Sequence, residues 1–132
     1  SGASEALGIA LGRAKAERRI VSAVEHDAVF RAAPHAEVLP IVDGEVDGAV
    51  LHDLVSSGDR ALVAVQHINS ETGTVLFPFV RNNFVQHVRG AGGWILADCS
   101  QSAGKGSVPD CDMAVVSAHK FGGPVGVGAL LV

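Results

Sequence analysis

The sequence predicts an α/β protein: a mostly parallel β-sheet covered by helices on both faces. Three observations lead there. Short extended runs alternate with stretches whose apolar residues recur at helical spacing, the pattern of successive βαβ units. Apolar residues supply 48 % of the 132-residue chain and aromatics only 5 %, with no Tyr, so a core of Ala, Val, Leu and Gly suits close helix-on-sheet layers. Finally, polar residues gather just after the extended runs, where an open parallel sheet offers its ligand-binding rim.

Taken in order, Ser4 and Glu5 can cap and charge a first helix in which Leu7, Ala10, Leu11 and Ala14 share a face. "RIVSAV" is a short strand, and "DAVFRAA" a short helix stopped by Pro34. "AEVLPI" reads as a second strand and Asp43-Gly44 as a turn. Val50, Leu51, Leu54 and Val55 form the apolar stripe of a helix ended by Ser57-Gly58, and "ALVAVQH" is a third strand. Val80, Phe84 and Val88 space a further helix, entered after Pro78 and closed by "GAGG", whose glycines allow a left-handed cap. "WILAD", "MAVVS" and "VGALLV" bring the extended runs to about six.

Several function classes are excluded at this level. A formal net charge of −4 leaves no basic footprint for nucleic acid. No apolar run approaches the roughly 18 residues of a membrane span, and no charged segment followed by an apolar stretch opens the chain. Cys99 and Cys111, the only cysteines, form neither a disulfide framework nor a CxxC pair, so a reducing, cytoplasmic setting is expected. The chain is one domain's worth, yet it opens on "SGAS" and stops within "ALLV". A piece of a longer protein, truncated at both ends, is expected.

Four strand ends carry polar groups that converge on one rim: Glu25-His26, His67-Ile68-Asn69, Asp98, and Ser117 to Lys120. A partly desolvated lysine is a nucleophilic amine that bonds an aldehyde. If the aldehyde is pyridoxal phosphate, three other parts are needed. A carboxylate must hold the pyridine nitrogen protonated, amides and hydroxyls at a helix start must hold the phosphate, and a flat group must pack on the ring. Asp98 can be that carboxylate, Gln101 a donor to the ring hydroxyl, and His26 the stacking group. Ser4 with the amides around it, Ser117 and His119 can hold the phosphate. Spacing alone does not choose this cofactor over other aldehyde chemistry.

The motifs "SGASEAL", "IVSAVEHDAVF", "HINSETGTVLFP", "ILADCSQSAGK" and "SAHKFGGPVGVGALLV" closely resemble, in order and spacing, the cysteine desulfurase branch of the class V aminotransferase-like family. The resemblance covers essentially the whole chain. It implies a fold-type I pyridoxal phosphate enzyme, with residues 1–132 the cofactor-holding central part of the large domain. It further implies Lys120 as the Schiff-base lysine that also shuttles the substrate α-proton, and Asp98 as partner of the pyridine nitrogen. Gln101 then reaches the ring hydroxyl, His26 stacks on the ring, and Ala3, Ser4, Ser117 and His119 hold the phosphate. Asn69 and Ser70 occupy the place of the family's "NNE" asparagines. Ser70 replaces the second of these with a shorter side chain, Ser4 replaces a common Thr, and Val125 replaces a common Lys. The implied reaction cleaves the C–S bond of L-cysteine, giving alanine and an enzyme-bound persulfide for iron–sulfur cluster assembly or tRNA thiolation. A homodimer and a sulfur-acceptor protein are the implied partners. The family's sulfur-accepting cysteine and substrate-carboxylate arginine lie well C-terminal to the Schiff-base lysine, outside this sequence.

Competing readings follow from the same residues. Asn69 and His67 can serve only to satisfy loop backbone. Cys99 stands beside Asp98, whose charge raises a thiol pKa, so Cys99 and Cys111 read as packing residues and not as the sulfur carrier. The six histidines show no metal-site spacing. Another amino-acid substrate, as in a selenocysteine lyase or an aminotransferase, and a non-catalytic fragment of the fold are the alternatives.

Overall fold

A computed structural model of the chain describes residues 2–69, 73, 75–76 and 83–132, apart from the side chains of Lys120 and Phe121. In chain order the elements are α1 (Gly2–Arg13), β1 (Arg18–Ser22), α2 (Asp27–Ala32), β2 (Glu37–Leu39), β3 (Ile41–Val42), β4 (Glu45–Val46), α3 (Gly48–Ser56), β5 (Ala61–Gln66), α4 (Phe84–Gly90), β6 (Trp94–Asp98), β7 (Met113–Ser117) and β8 (Gly128–Leu131). A 3₁₀ turn, Ala118–Phe121, follows β7.

Six strands form one sheet in the order β2-β1-β5-β6-β7-β8, and β3 pairs with β4 apart from it. The sheet is parallel from β2 to β7, while β8 returns antiparallel to β7. From β1 the chain runs outward to β2 and then crosses to β5 on the other side. The crevice between β1 and β5 is therefore a topological switch point, where open α/β sheets bind ligands beyond the carboxyl ends of their strands.

Period-two alternation distributes the strand residues between two cores. Ala61, Val63 and Val65 of β5 join Leu51 and Val55 of α3 and Phe84 and Val88 of α4. Leu62 and Ala64 join Leu7 and Leu11 of α1 and Val29 of α2. Every residue of β5 is buried, as expected of a central strand covered on both faces. Asp47 ends the β3–β4 excursion by capping α3, its Oδ1 accepting from the backbone N–H groups of Ala49 and Val50, each at 3.1 Å. The edge strand β2 is held by Arg18, which donates to both carboxylate oxygens of Glu37 at 2.9 and 3.2 Å.

The structure corrects two boundaries. The strand expected over "AEVLPI" is divided, because Pro40 has no N–H for a ladder; β2 ends at Leu39 and Ile41 opens a hairpin instead. That hairpin turns at Asp43 and Gly44 with φ of 51° and 77°, the paired positive values of a two-residue turn. Helix α1 already runs from Gly2, so Ser4 lies within its first turn and is not its cap. Val80 and Pro78, expected to open the fourth helix, lie outside the described residues.

One close approach fixes how α1 meets the sheet. A Cβ on Gly128 would lie 2.7 Å from the Gly2 oxygen and 2.8 Å from the Ala3 nitrogen, where only hydrogens now stand. Two glycines thus let the start of α1 rest on the start of β8.

Candidate active site

The carboxyl ends of β1, β5, β6 and β7 open onto a cavity of about 240 Å³. Its wall includes Ala3 and Ser4 from the first turn of α1, His26 after β1, Gln66 at the end of β5, Asp98 and Gln101 after β6, and Ser117 and His119 after β7. Segments far apart in sequence therefore deliver seven of the expected site residues to one place.

Each is positioned by local structure. His26 has extended backbone and caps α2, its Nδ1 accepting from the Ala28 N–H at 3.1 Å. That bond places the ring proton on Nε2 and fixes the ring at the cavity edge, so the cap and the exposed face coexist. Asp98 ends β6 in register with Gln66 of β5. Its Oδ1 accepts from the Ser100 hydroxyl at 2.6 Å and the Ser100 N–H at 3.0 Å, which orients the carboxylate. Ser117 is buried and pairs with His119, Oγ to Nδ1 at 3.0 Å. The backbone of Lys120 lies in the 3₁₀ turn directly after this pair. Its side chain is outside the described structure, as is Ser70.

Asn69 stands apart from the cavity wall. It is buried, and its Nδ2 donates to the Val24 oxygen at 3.4 Å, joining the loop after β5 to the end of β1. His67 pairs through Nδ1 with the Ser102 hydroxyl at 2.7 Å, and burial lowers its pKa. Gln66, Ser100 and Gly126 line the cavity although their residue types in sequence do not single them out, and Val125, noted only for replacing a common Lys, lines it as well. The signal for Gln66 and Ser100 was their place at a strand end beside a chemically assigned neighbour.

The two thiols are held in their protonated form. Burial is the main cause that pushes Cys99 up to about 11, with Cys111 and Asp98 adding smaller effects. The sequence-based cause, the charge of Asp98, thus has the expected sign but is secondary. Burial likewise raises Cys111, followed by the nearby charges of Asp112 and Asp110.

A parallel sheet with a polar cup at its switch point, entered by a helix start on one side and a carboxylate on another, is the architecture of the fold-type I enzymes. The chain belongs to the aminotransferase class-V family, whose model matches residues 1–132. A cysteine desulfurase of Frankia sp. is 37 % identical over an alignment that takes in 99 % of this chain and 36 % of the relative. Among solved structures, a NifS-like protein from Rickettsia africae superposes with a TM-score of 0.87 at 23 % identity, covering 98 % of this chain and 38 % of that one. Another NifS-like protein superposes at 0.77 with 28 % identity, covering 100 % of this chain and 40 % of its own. The chain spans little more than a third of the length of the curated relative it matches.

Proposed function

We propose that the protein is a pyridoxal phosphate-dependent cysteine desulfurase, of which these residues supply the cofactor-holding part of the large domain. The observation that carries the reading is the cavity itself. It gathers the helix start at Ala3 and Ser4, the imidazole of His26, the carboxylate of Asp98, and the Ser117–His119 pair.

The donor set fits the cofactor. The first turn of a helix has N–H groups without intrahelical partners, and with Ser4, Ser117 and His119 it suits a phosphate. Asp98, oriented by Ser100, suits a protonated ring nitrogen, Gln101 can donate to a ring hydroxyl, and His26 presents a flat face. Ala3 contributes a small side chain that lets the anion approach the backbone. Asn69 acts at one remove, by fixing the loop after β5. Ser70 would take the remaining contact that relatives make with asparagine.

When bound, the cofactor supplies an electron sink for the pair left by a departing α-proton. The work of this chain is to hold and orient. Lys120 would supply the amine that holds the cofactor's aldehyde and, as a free amine, would carry the α-proton of the amino acid. Asp98 would hold the ring nitrogen protonated, and His26 would cover one ring face from water. Neither Cys99 nor Cys111 is suited to accept sulfur, since each is held as a thiol. The sulfur-accepting thiol and the arginine that holds the substrate carboxylate are assigned to other parts of the protein. A homodimer, a sulfur-acceptor protein feeding iron–sulfur cluster assembly or tRNA thiolation, and a cytoplasmic location complete the proposal. Among the described residues no helix is long and apolar enough to cross a membrane.

The test is to supply the full-length protein with pyridoxal phosphate, L-cysteine and excess dithiothreitol, which reduces the enzyme persulfide to sulfide and is itself oxidised to its disulfide, and to measure alanine and sulfide together. Alanine with stoichiometric sulfide is expected. Alanine formed from selenocysteine alone, or amino-group transfer without sulfide, would replace this reading with one of its relatives.

A further inference from the structure

Glu25 is the one buried acidic residue among the described residues, 7 % exposed. It stands beyond Ala23 and Val24 after β1 and backs Gln66 of the cavity wall. Its Oε1 accepts from the Ser22 hydroxyl and from the backbone N–H of Gln66, the latter at 2.7 Å. Its Oε2 is equally buried and has no hydrogen-bond partner. Gln66 in turn lines the cavity and donates its side-chain amide to the Val24 oxygen. One carboxyl oxygen therefore ties the end of β1, from which His26 departs, to the end of β5.

The charged group that faces it among the described residues is Asp98 on β6. From β1 and β5 it meets Ser22 and Gln66, which do not titrate, and the neighbouring His26 is engaged in capping α2. A carboxylate with a bare, buried oxygen beside a second carboxylate is strongly disfavoured. Burial, with a smaller contribution from Asp98, pushes Glu25 up to about 8 against the opposing effect of its two hydrogen bonds. The proton belongs on Oε2, because Oε1 already accepts two donors.

We propose that Glu25 is a positioning residue of the site: an uncharged carboxylic acid that bolts β1 to β5 and leaves Asp98 the anion of the cavity. The second half rests on the proposed role of Asp98. Were Glu25 ionised, two adjacent negative charges would compete for one ring cation.

The experiment compares wild type with Glu25→Gln and Glu25→Leu in the full-length protein. Thermal midpoints are measured across pH without cofactor, and pyridoxal phosphate affinity is measured at neutral pH. Folded Glu25 holds a proton that the unfolded chain gives up near pH 4.5. Its stabilising contribution is complete below that pH and declines as pH rises through the folded value. The midpoint of wild type relative to Glu25→Gln should therefore fall between those two values and stay level above them. Glu25→Gln, which keeps an uncharged acceptor, should bind pyridoxal phosphate within about threefold of wild type, while Glu25→Leu should lose about tenfold or more. A pH-independent difference between wild type and Glu25→Gln would overturn the proposal, as would a loss of affinity in Glu25→Gln as large as in Glu25→Leu. The midpoint comparison needs no cofactor, so it decides the state of Glu25 even if the desulfurase reading fails.

Discussion

Replacing Gly128 with Ala tests whether the contact between α1 and β8 sets the cup. The added Cβ would stand 2.7 Å from the Gly2 oxygen and 2.8 Å from the Ala3 nitrogen, whereas ordinary contact begins at 3.4 Å. It would stand nearer still to the Gly2 carbonyl carbon. All three atoms are backbone, so no side chain can rotate away, and the helix start must retreat by about 1 Å, an overpacking strain of about 1–3 kcal/mol. Gly2, Ala3 and Ser4 line the cavity with Val125 and Gly126, so the retreat widens the cup where the phosphate is proposed to sit. A misplacement of that size can cost up to about 100-fold in function. The expected result is a pyridoxal phosphate affinity weakened by about 10- to 100-fold, followed by absorbance titration of the full-length protein, with a lowered thermal midpoint. Gly8→Ala is the control: it lies in the same helix, its Cβ would meet nothing within 4 Å, and it should be neutral or stabilise by up to about 1 kcal/mol. If Gly128→Ala binds cofactor like wild type and melts like Gly8→Ala, the glycine contact does not position the cup.

Lys120→Ala should abolish the borohydride-fixed pyridoxyl adduct seen by mass spectrometry while leaving reversible uptake of the cofactor; an adduct that moved to Lys15 or Lys105 instead would unseat Lys120. Asp98→Asn should retain the adduct on Lys120 but reduce alanine formation by about 100-fold or more, as expected when a carbanion loses its electron sink; normal turnover would exclude the assigned role. Cys99→Ser should leave the persulfide of the intact enzyme and its cofactor content unchanged, and at neutral pH iodoacetamide should label neither Cys99 nor Cys111 in the folded protein. Asp47→Ala removes two hydrogen bonds at the start of α3, and a loss of about 1 kcal/mol in denaturant unfolding is expected.

The sequence disclosed most where physics demands a repeated pattern. β5, β6 and β7 are short apolar runs because both of their faces are covered, and their carboxyl ends had to carry the polar groups of any site at the rim. His26, Asp98, Gln101, Ser117 and His119 were therefore legible together, and the structure gathers them around one cavity. Pro40 lies inside the run read as one strand, because a missing N–H matters only once the neighbouring strand is known. The contact of Gly2 with Gly128 joins the two ends of the chain, and no local window contains it. In sequence Glu25 is only a strand-end residue. Its environment depends on the Gln66 amide and on Asp98, two strands that become neighbours only through the order of the sheet. For Cys99, adjacency to Asp98 suggested the sign, but the larger cause was burial, which is a property of the assembled layers.

The cavity wall runs from Gly2 to Gly126 and draws on four strand ends, so no short contiguous segment of the chain contains it. Parallel strands close long loops before their pairing is rewarded, and such contacts are made slowly. The cup consequently exists only after β1, β5, β6 and β7 have all paired and α1 has come to rest on β8. Ligand that binds this cup and not the unfolded chain acts on the completed fold by mass action. Capture of the proposed cofactor would therefore mark the end of assembly: during refolding, its bound spectral signature should appear no earlier than burial of the central strands.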